Sequence, residues 1–121
     1  MILGVGIDCE EIERWSNLRA ESSSDPRHGL FTEAEHAYCS GCASPEQHYA
    51  ARWCAKEAAI KALAGHLILT SRDVEITNSD TGVPTIAILR DDPVLRSISC
   101  MISLTHTEKT AAAVVLVIKR T

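Results

Sequence analysis

Glu57 and Lys61, both within one predicted helix, have side chains and a spacing suited to phosphate chemistry. They stand four residues apart, so in a helix they share one face. A second carboxylate, Asp8, is expected where an apolar amino-terminal strand ends. Mg²⁺ usually takes one or two protein carboxylates and completes its shell with water and phosphate oxygens. The three side chains therefore suit a divalent cation that holds a phosphate ester.

Each of these residues also has a purely structural interpretation. Glu57 and Lys61 have the spacing of an ordinary ion pair on a helix surface, which contributes about 0.2–0.5 kcal/mol. Asp8 begins the sequence Asp-Cys-Glu-Glu, which is an acceptable capping box for a helix that follows it. The sequence pattern leaves both interpretations open.

The same helix carries a second polar stripe, formed at i, i+4 and i+8 by His48, Arg52 and Lys56. At about 100° per residue, this stripe lies roughly opposite Glu57. A surface helix needs only one solvated face, so one of the two polar faces should line a cleft or an interface. His106 is expected at the end of a later strand, where an imidazole either binds phosphate or makes structural hydrogen bonds.

The composition is that of a soluble globular protein. The 121 residues are 45% apolar with a formal charge of −4, and we expect residues 1–121 to form one domain. The acidic balance argues against bulk nucleic-acid binding. No run approaches the ~20 apolar residues of a membrane span, and the first residues lack the layout of a signal peptide. We therefore expect a cytoplasmic protein whose five cysteines are reduced.

The hydrophobic pattern predicts an α+β fold in which an antiparallel sheet with hairpins packs on a long central helix. That helix should begin at Ser44-Pro45-Glu46-Gln47, with Ser44 and Gln47 as a capping box, and end at Gly65. A shorter helix should begin at the capping box Thr32-Glu33-Ala34-Glu35. The other expected elements are strands at 1–7, 73–77, 83–89, 99–105 and 111–118, and helical segments at 10–18 and 92–98.

Five segments in chain order resemble the holo-(acyl-carrier-protein) synthase type of 4′-phosphopantetheinyl transferase. They are Gly6-Ile7-Asp8 with Arg14, Phe31 to Tyr38, Arg52 to Ala62, Gly82-Val83-Pro84, and Ser103 to Thr107. The resemblance implies Mg²⁺-dependent transfer of the 4′-phosphopantetheine arm of coenzyme A to a serine of an apo acyl carrier protein. Adenosine 3′,5′-bisphosphate would leave, and the carrier would serve fatty-acid or polyketide synthesis. The resemblance also implies a homotrimer with active sites between subunits.

The resemblance gives the catalytic roles to the first polar face of the helix. Asp8 and Glu57 would hold Mg²⁺ on the pyrophosphate of coenzyme A, and Lys61 would contact phosphate. Glu57, directly or through a metal-bound water, is the first candidate to accept the proton of the carrier serine, and Glu35 is the second.

Further residues would bind coenzyme A and the carrier protein. By the family pattern, Arg52 and His106, with Thr107 in the same motif, bind coenzyme A. Because Arg52 lies on the opposite side of the helix from Glu57, we expect it to serve the site of a neighbouring subunit. Arg14 and Arg19, expected on one helix, would meet the acidic carrier protein; without the resemblance, both are solvated surface arginines.

Two other functions stay open. Cys39-Ser-Gly-Cys42 is a CxxC motif that, together with His36 and His48, would suit zinc or a redox role. No second CxxC and no thioredoxin-like βαβ pattern accompany it. The other alternative is a non-catalytic carrier-protein binder on the same fold. It rests on the segment after Ala64, which has a single glycine where the family often has a Gly-Thr-Gly loop.

Overall fold

Five strands and two α-helices make up the chain, which the computed structural model describes over residues 1–121. The strands are β1 (Ile2–Glu11), β2 (Val74–Asn78), β3 (Pro84–Ile88), β4 (Ile98–His106) and β5 (Thr110–Lys119), and the helices are α1 (Glu33–Ser40) and α2 (Pro45–Leu63). Short 3₁₀ turns occur at Ile12–Trp15, His28–Leu30, Ser71–Asp73 and Pro93–Ser97. The structure confirms the predicted α+β class and the long central helix. None of its helices combines the length and hydropathy that a membrane crossing requires.

The strands form two antiparallel sheets, which confirms the predicted hairpins. β5 is the central strand of a three-stranded sheet with the order β1-β5-β4, and β2 pairs with β3. The inner face of β5 is buried through Ala111, Ala113, Val115 and Val117. In the ladder Asp8 lies opposite Ala113, and His106 lies opposite Ala111. Because paired residues share a face of the sheet, the Asp8 and His106 side chains lie on the side that packs against α2.

Small residues bring α2 unusually close to β1. The helix buries a series of alanines against the rest of the core, and β1 has glycines at the points of contact. A Cβ atom at Gly6 would collide with the carbonyl oxygen of Ala58, and one at Gly4 would collide with that of Ala62. The helix backbone therefore lies almost directly on the strand, which places the Lys61 side chain within reach of Asp8.

A buried ion pair ties α1 to α2 and to β2. The Thr32–Glu35 capping box is present as predicted, and Glu35 also accepts hydrogen bonds from Lys56 Nζ (2.5 Å) and from the backbone N–H of Ile76 (2.8 Å). The Glu35 and Lys56 side chains are fully buried. Burial lowers the pKa of Lys56, and the Glu35 carboxylate acts in the opposite direction. Breaking one member of such a pair leaves an uncompensated buried charge, at a cost of about 3–5 kcal/mol.

The prediction of a helix over residues 10–18 is wrong. β1 continues through Glu10, which pairs with Ala111, and only the 3₁₀ turn Ile12–Trp15 follows it. The apolar residues of this segment recur every three positions, which fits a 3₁₀ turn as well as an α-helix. Asn17, with φ at 69°, then takes the chain out of helical conformation.

The cap of α2 also differs from the prediction. The helix begins at Pro45 as expected, but the Ser44 side chain makes no capping hydrogen bond. The Gln47 side chain reaches across to His106 instead, so it cannot close a capping box. The helix ends at Leu63, shortly before the predicted stop at Gly65.

We predict that Gly6→Ala lowers the free energy of unfolding by about 1–3 kcal/mol, because the new methyl group forces α2 away from β1. Chemical denaturation followed by circular dichroism measures this change. Gly29→Ala is the matched control, since a Cβ atom at Gly29 meets nothing within 4 Å. Equal stability of the two variants would show that the close approach of helix and strand is unimportant.

Candidate active site

Asp8 and Lys61 meet where α2 crosses β1. Lys61 Nζ donates to Asp8 Oδ1 (3.2 Å) and to the carbonyl oxygen of Ile7 (3.1 Å). The Asp8 side chain is 17% exposed and that of Lys61 is 53% exposed. Both line a shallow cavity of about 310 Å³. The strand supplies a fixed carboxylate, and the helix supplies a cation that can move toward solvent.

The structure excludes the capping interpretation of Asp8. The residue lies inside β1, three positions before the strand ends, and not at its end as expected. Its second oxygen, Oδ2, is buried and has no hydrogen-bond partner. A buried carboxylate oxygen without a partner is costly, so its retention points to a ligand.

Glu57 and Glu10 add negative charge around Asp8. Burial raises the pKa of Glu57 above its ordinary value, and the Asp8 carboxylate raises it further, while Lys61 acts the other way. Burial also raises the pKa of Glu10, with further contributions from Asp8 and Glu57 in the same direction and from Arg14 in the opposite one. Three carboxylates therefore share a small, partly buried region. No Glu57–Lys61 ion pair forms, because Lys61 pairs with Asp8 instead.

Glu10 was not predicted from the sequence. Asp8 and Glu10 are two residues apart, so in a strand they share one face. The expected strand ended at residue 7, and this relationship was therefore hidden. A strand extended by three residues would have brought Glu10 into the candidate site.

The carboxylates of Asp8 and Glu57 suit a hard divalent cation. Asp8 has an unpartnered oxygen, and burial followed by the charge of Asp8 raises the pKa of Glu57, both of which a bound cation would offset. No group of three or more His, Cys, Asp or Glu side chains is arranged to hold a metal. Mg²⁺ needs only one or two protein carboxylates when water and substrate oxygens fill the other positions. The protein side chains are thus suited to a metal that arrives with its phosphate ligand.

Arg52 lies in a different cavity, on another side of α2. This cavity of about 400 Å³ is lined by Arg52, His48, His106, Tyr38 and, among others, the β2–β3 turn. Neither Asp8 nor Lys61 borders it. Arg52 and Lys61 therefore face separate cavities. The stripe of His48, Arg52 and Lys56 is not a solvated face, because Arg52 is 3% exposed and Lys56 is fully buried.

His106 ends β4 at the predicted strand end. The Gln47 amide donates to His106 Nε2 (3.1 Å), and His106 Nδ1 donates to the carbonyl oxygen of Thr107 (3.2 Å). The Thr107 hydroxyl accepts from the backbone N–H groups of Lys109 and Thr110 and so closes the β4–β5 turn. Thr107 does not line the Arg52 cavity.

Arg14 and Arg19 do not share a helix, contrary to expectation, because the 3₁₀ turn ends at Trp15. Arg14 pairs with Glu10 (2.9 Å) and stays exposed, and Arg19 donates to the carbonyl oxygen of Leu18 (2.8 Å). The structure thus presents Arg14 as a single basic side chain beside acidic neighbours.

Glu35 is unsuited to act as a base. Each of its oxygens is occupied, by Lys56 and by backbone N–H groups, and the side chain has no exposed surface. It belongs to the core and not to the site, so the second candidate for the serine proton is wrong.

The CxxC motif forms neither a metal nor a redox centre. Burial raises the pKa of the Cys39 thiol to about 12, which keeps it protonated and inert. His36 is buried, donates to the carbonyl oxygen of His28 (2.8 Å) and accepts from the Tyr49 hydroxyl (2.7 Å), so both ring nitrogens are occupied. The expected zinc ligands are therefore not available together.

The profile of the 4′-phosphopantetheinyl transferase superfamily matches residues 4–115. The chain belongs to this superfamily. The holo-[acyl-carrier-protein] synthase of Geobacter sulfurreducens is 37% identical over 122 residues, which cover 96% of this chain and 97% of that protein.

Solved structures show the same transferase fold. The acyl carrier protein synthase of Mycobacterium tuberculosis aligns over 99% of this chain and 100% of its own, with a TM-score of 0.76 and 33% identity. The holo-(acyl-carrier-protein) synthase of Bacillus anthracis, solved with CoA (3′,5′-ADP), aligns over 97% and 96% with a TM-score of 0.73 and 25% identity.

We predict that Glu57→Gln stabilises the metal-free transferase at neutral pH. The pKa of Glu57 in the fold is raised above its ordinary value of 4.5, so its contribution to stability is present below that pH and is lost as pH rises through the folded pKa. In buffer with a chelator near pH 7.5, the melting temperature should rise by about 2–4 °C, and the gain should vanish near pH 4.

Glu108→Gln, an exposed change in the β4–β5 turn, is the control for removal of one negative charge. A Glu57→Gln protein that melts below the wild type at neutral pH would contradict the repulsion among the carboxylates.

Proposed function

We propose that this transferase moves the 4′-phosphopantetheine arm of coenzyme A to a serine of an apo acyl carrier protein and releases adenosine 3′,5′-bisphosphate. The main support is the arrangement around Asp8: one of its oxygens contacts Lys61, the other has no hydrogen-bond partner, and Glu57 lies nearby. It combines cation-binding oxygens with a mobile ammonium at one point. The relatives named holo-[acyl-carrier-protein] synthase give the substrate class.

Asp8 and Glu57 would hold Mg²⁺, which supplies charge neutralisation on the pyrophosphate when bound. Lys61 is free to swing from Asp8 to a phosphate oxygen, since its side chain is half exposed. Phosphoryl transfer depends mainly on positioning and on neutralising charge, and these residues offer both.

The transfer needs one proton to leave the carrier serine. The serine Oγ forms a bond to the phosphorus that carries the pantetheine arm, and the bond from that phosphorus to the bridging oxygen breaks. The bridging oxygen leaves with adenosine 3′,5′-bisphosphate. A carboxylate beside the reacting phosphate, such as that of Glu57 next to Asp8, can accept this proton. Glu57 therefore remains our candidate for the base, directly or through water.

We further propose a homotrimer in which each site takes Asp8, Glu57 and Lys61 from one subunit and Arg52 and His106 from its neighbour. Within a single chain Asp8 and Lys61 border one cavity, and Arg52 and His106 border another, which supports a site completed by a neighbouring subunit.

The outer face of the three-stranded sheet offers a surface for such an assembly. Val5, Leu116 and Met101 form one row across β1, β5 and β4, and Val5 and Met101 are more than half exposed. Ile7 extends the same apolar face. Apolar surface of this kind commonly marks an interface.

The carrier protein is the acidic partner in this proposal. Arg14, exposed in the 3₁₀ turn that follows β1 and paired with Glu10, is the candidate contact. Arg19 stays a prediction, although its guanidinium donates to the local backbone. A fatty-acid or a polyketide carrier fits equally well.

We predict that the protein, with Mg²⁺, coenzyme A and an apo acyl carrier protein, yields a carrier heavier by one phosphopantetheine arm in a mass spectrum. Asp8→Asn should lower the turnover about 100-fold or more, because it removes a charge that holds the cation. Asp91→Asn, at a fully exposed side chain, is the control. No mass shift with any of several apo carriers, from folded protein, would refute the function.

We predict that Asp8→Asn and Arg52→Gln subunits complement one another when mixed. If Asp8 and Arg52 of neighbouring subunits share a site, random assembly of a closed ring restores about a quarter of the sites. Each variant alone should stay inactive, and His106→Ala should behave like Arg52→Gln. Light scattering gives the mass of the assembly. Trimers without any recovered activity would place both residues in one subunit's site.

A further inference from the structure

The Arg52 cavity contains an uncompensated positive charge. Arg52 is 3% exposed, its Nε has no hydrogen-bond partner, and it forms none of the ion pairs in the structure. The guanidinium carbon lies over the Tyr38 ring, 4.0 Å from its centroid. A buried cation without a carboxylate is expensive, so the cavity is built for an anion that comes from outside.

His48 stands beside this arginine, one helical turn earlier. It lines the same cavity and is only partly buried. Its ring lies nearly perpendicular to the Tyr38 ring, at a centroid distance of 5.5 Å. Neither ring nitrogen takes part in a hydrogen bond with the protein, whereas both nitrogens of His106 are occupied. Of the two imidazoles in the cavity, His48 is the one with free nitrogens to offer a ligand.

The charged and titratable groups that face His48 are mostly positive or neutral. They are Arg52 and Glu46 on α2, His106 on β4 and the Tyr38 phenol on α1; the β2–β3 turn contributes Asn78, Gly82, Val83 and Pro84, none of which titrates. Burial, Arg52 and His106 lower the pKa of His48, and Glu46 raises it by less. The negative charge of an incoming anion would offset these effects and favour the protonated imidazole of His48.

We propose that His48 is a further phosphate-binding residue of this cavity and takes up a proton when a phosphate group of the ligand enters. Protonated His48 and Arg52 then form two charge-assisted hydrogen bonds to the same anion. The Tyr38 ring packs against both side chains. The inference rests on the proposed function for the identity of the ligand, coenzyme A. The phosphate is either the 3′-phosphomonoester or the pyrophosphate.

Calorimetric titration with coenzyme A at about pH 6 and about pH 8 tests this proposal. At about pH 6, wild-type protein should bind coenzyme A about tenfold more tightly than His48→Gln does. At about pH 8, the two affinities should converge. His48→Lys, which keeps a charge at both values, should restore tight binding at about pH 8. His28→Gln is the matched control, since His28 packs on His36 away from the cavity.

The ligand's own monoester titrates near pH 6, so the readout is the difference between variants and not the absolute slope. Titration with 3′-dephospho-coenzyme A distinguishes the two phosphates: loss of the His48 effect assigns the monoester, and its persistence assigns the pyrophosphate. Equal binding by wild type and His48→Gln at both pH values would overturn the proposal. If those proteins still transfer the arm to the carrier, the proposed function stands; if wild type neither binds coenzyme A nor transfers, both fall.

Discussion

The close contact between α2 and β1 is the constraint on which the rest of this structure depends. Gly4 and Gly6 leave room for the helix backbone, and the alanines of α2 fill little of the space between helix and strand. Only this short separation allows the Lys61 side chain to reach Asp8 while Glu57 lies close enough to feel its charge. The site is therefore a product of small residues that have no chemistry of their own.

A second, fully buried contact supports the opposite side of the helix. Glu35 and Lys56 join α1, α2 and β2, and so hold in place the wall on which Arg52 and His48 stand. Lys56 belongs to the same stripe as those two residues, but it acts within the core. One helix thus carries structural and ligand-facing cations on a single stripe, separated by one turn.

Much of this architecture could be predicted from the sequence, for reasons that are local. Alternating or continuous apolar residues predicted the strands, and the Thr32–Glu35 box and Pro45 predicted the helix starts. The predictions failed where tertiary contacts determine the extent of a strand or the burial of a side chain. The ladder with β5 carries β1 as far as Glu11, past the expected end, and burial by the surrounding elements turned Lys56 and Glu35 into core residues. Neither effect has a signature within a short window of sequence, which is also why Glu10 was missed.

The pairing of β1 and β4 with the same central strand has a consequence for how this fold tolerates insertions and deletions. Asp8 and His106 are held opposite Ala113 and Ala111, two positions apart on β5. Loss of one residue from β5 between its ends would shift the register and turn side chains to the other face of the sheet. Both cavities would lose a key residue in a single event. Length changes should therefore accumulate in the connections, such as residues 16–30 and 64–70, while β5 keeps a constant length.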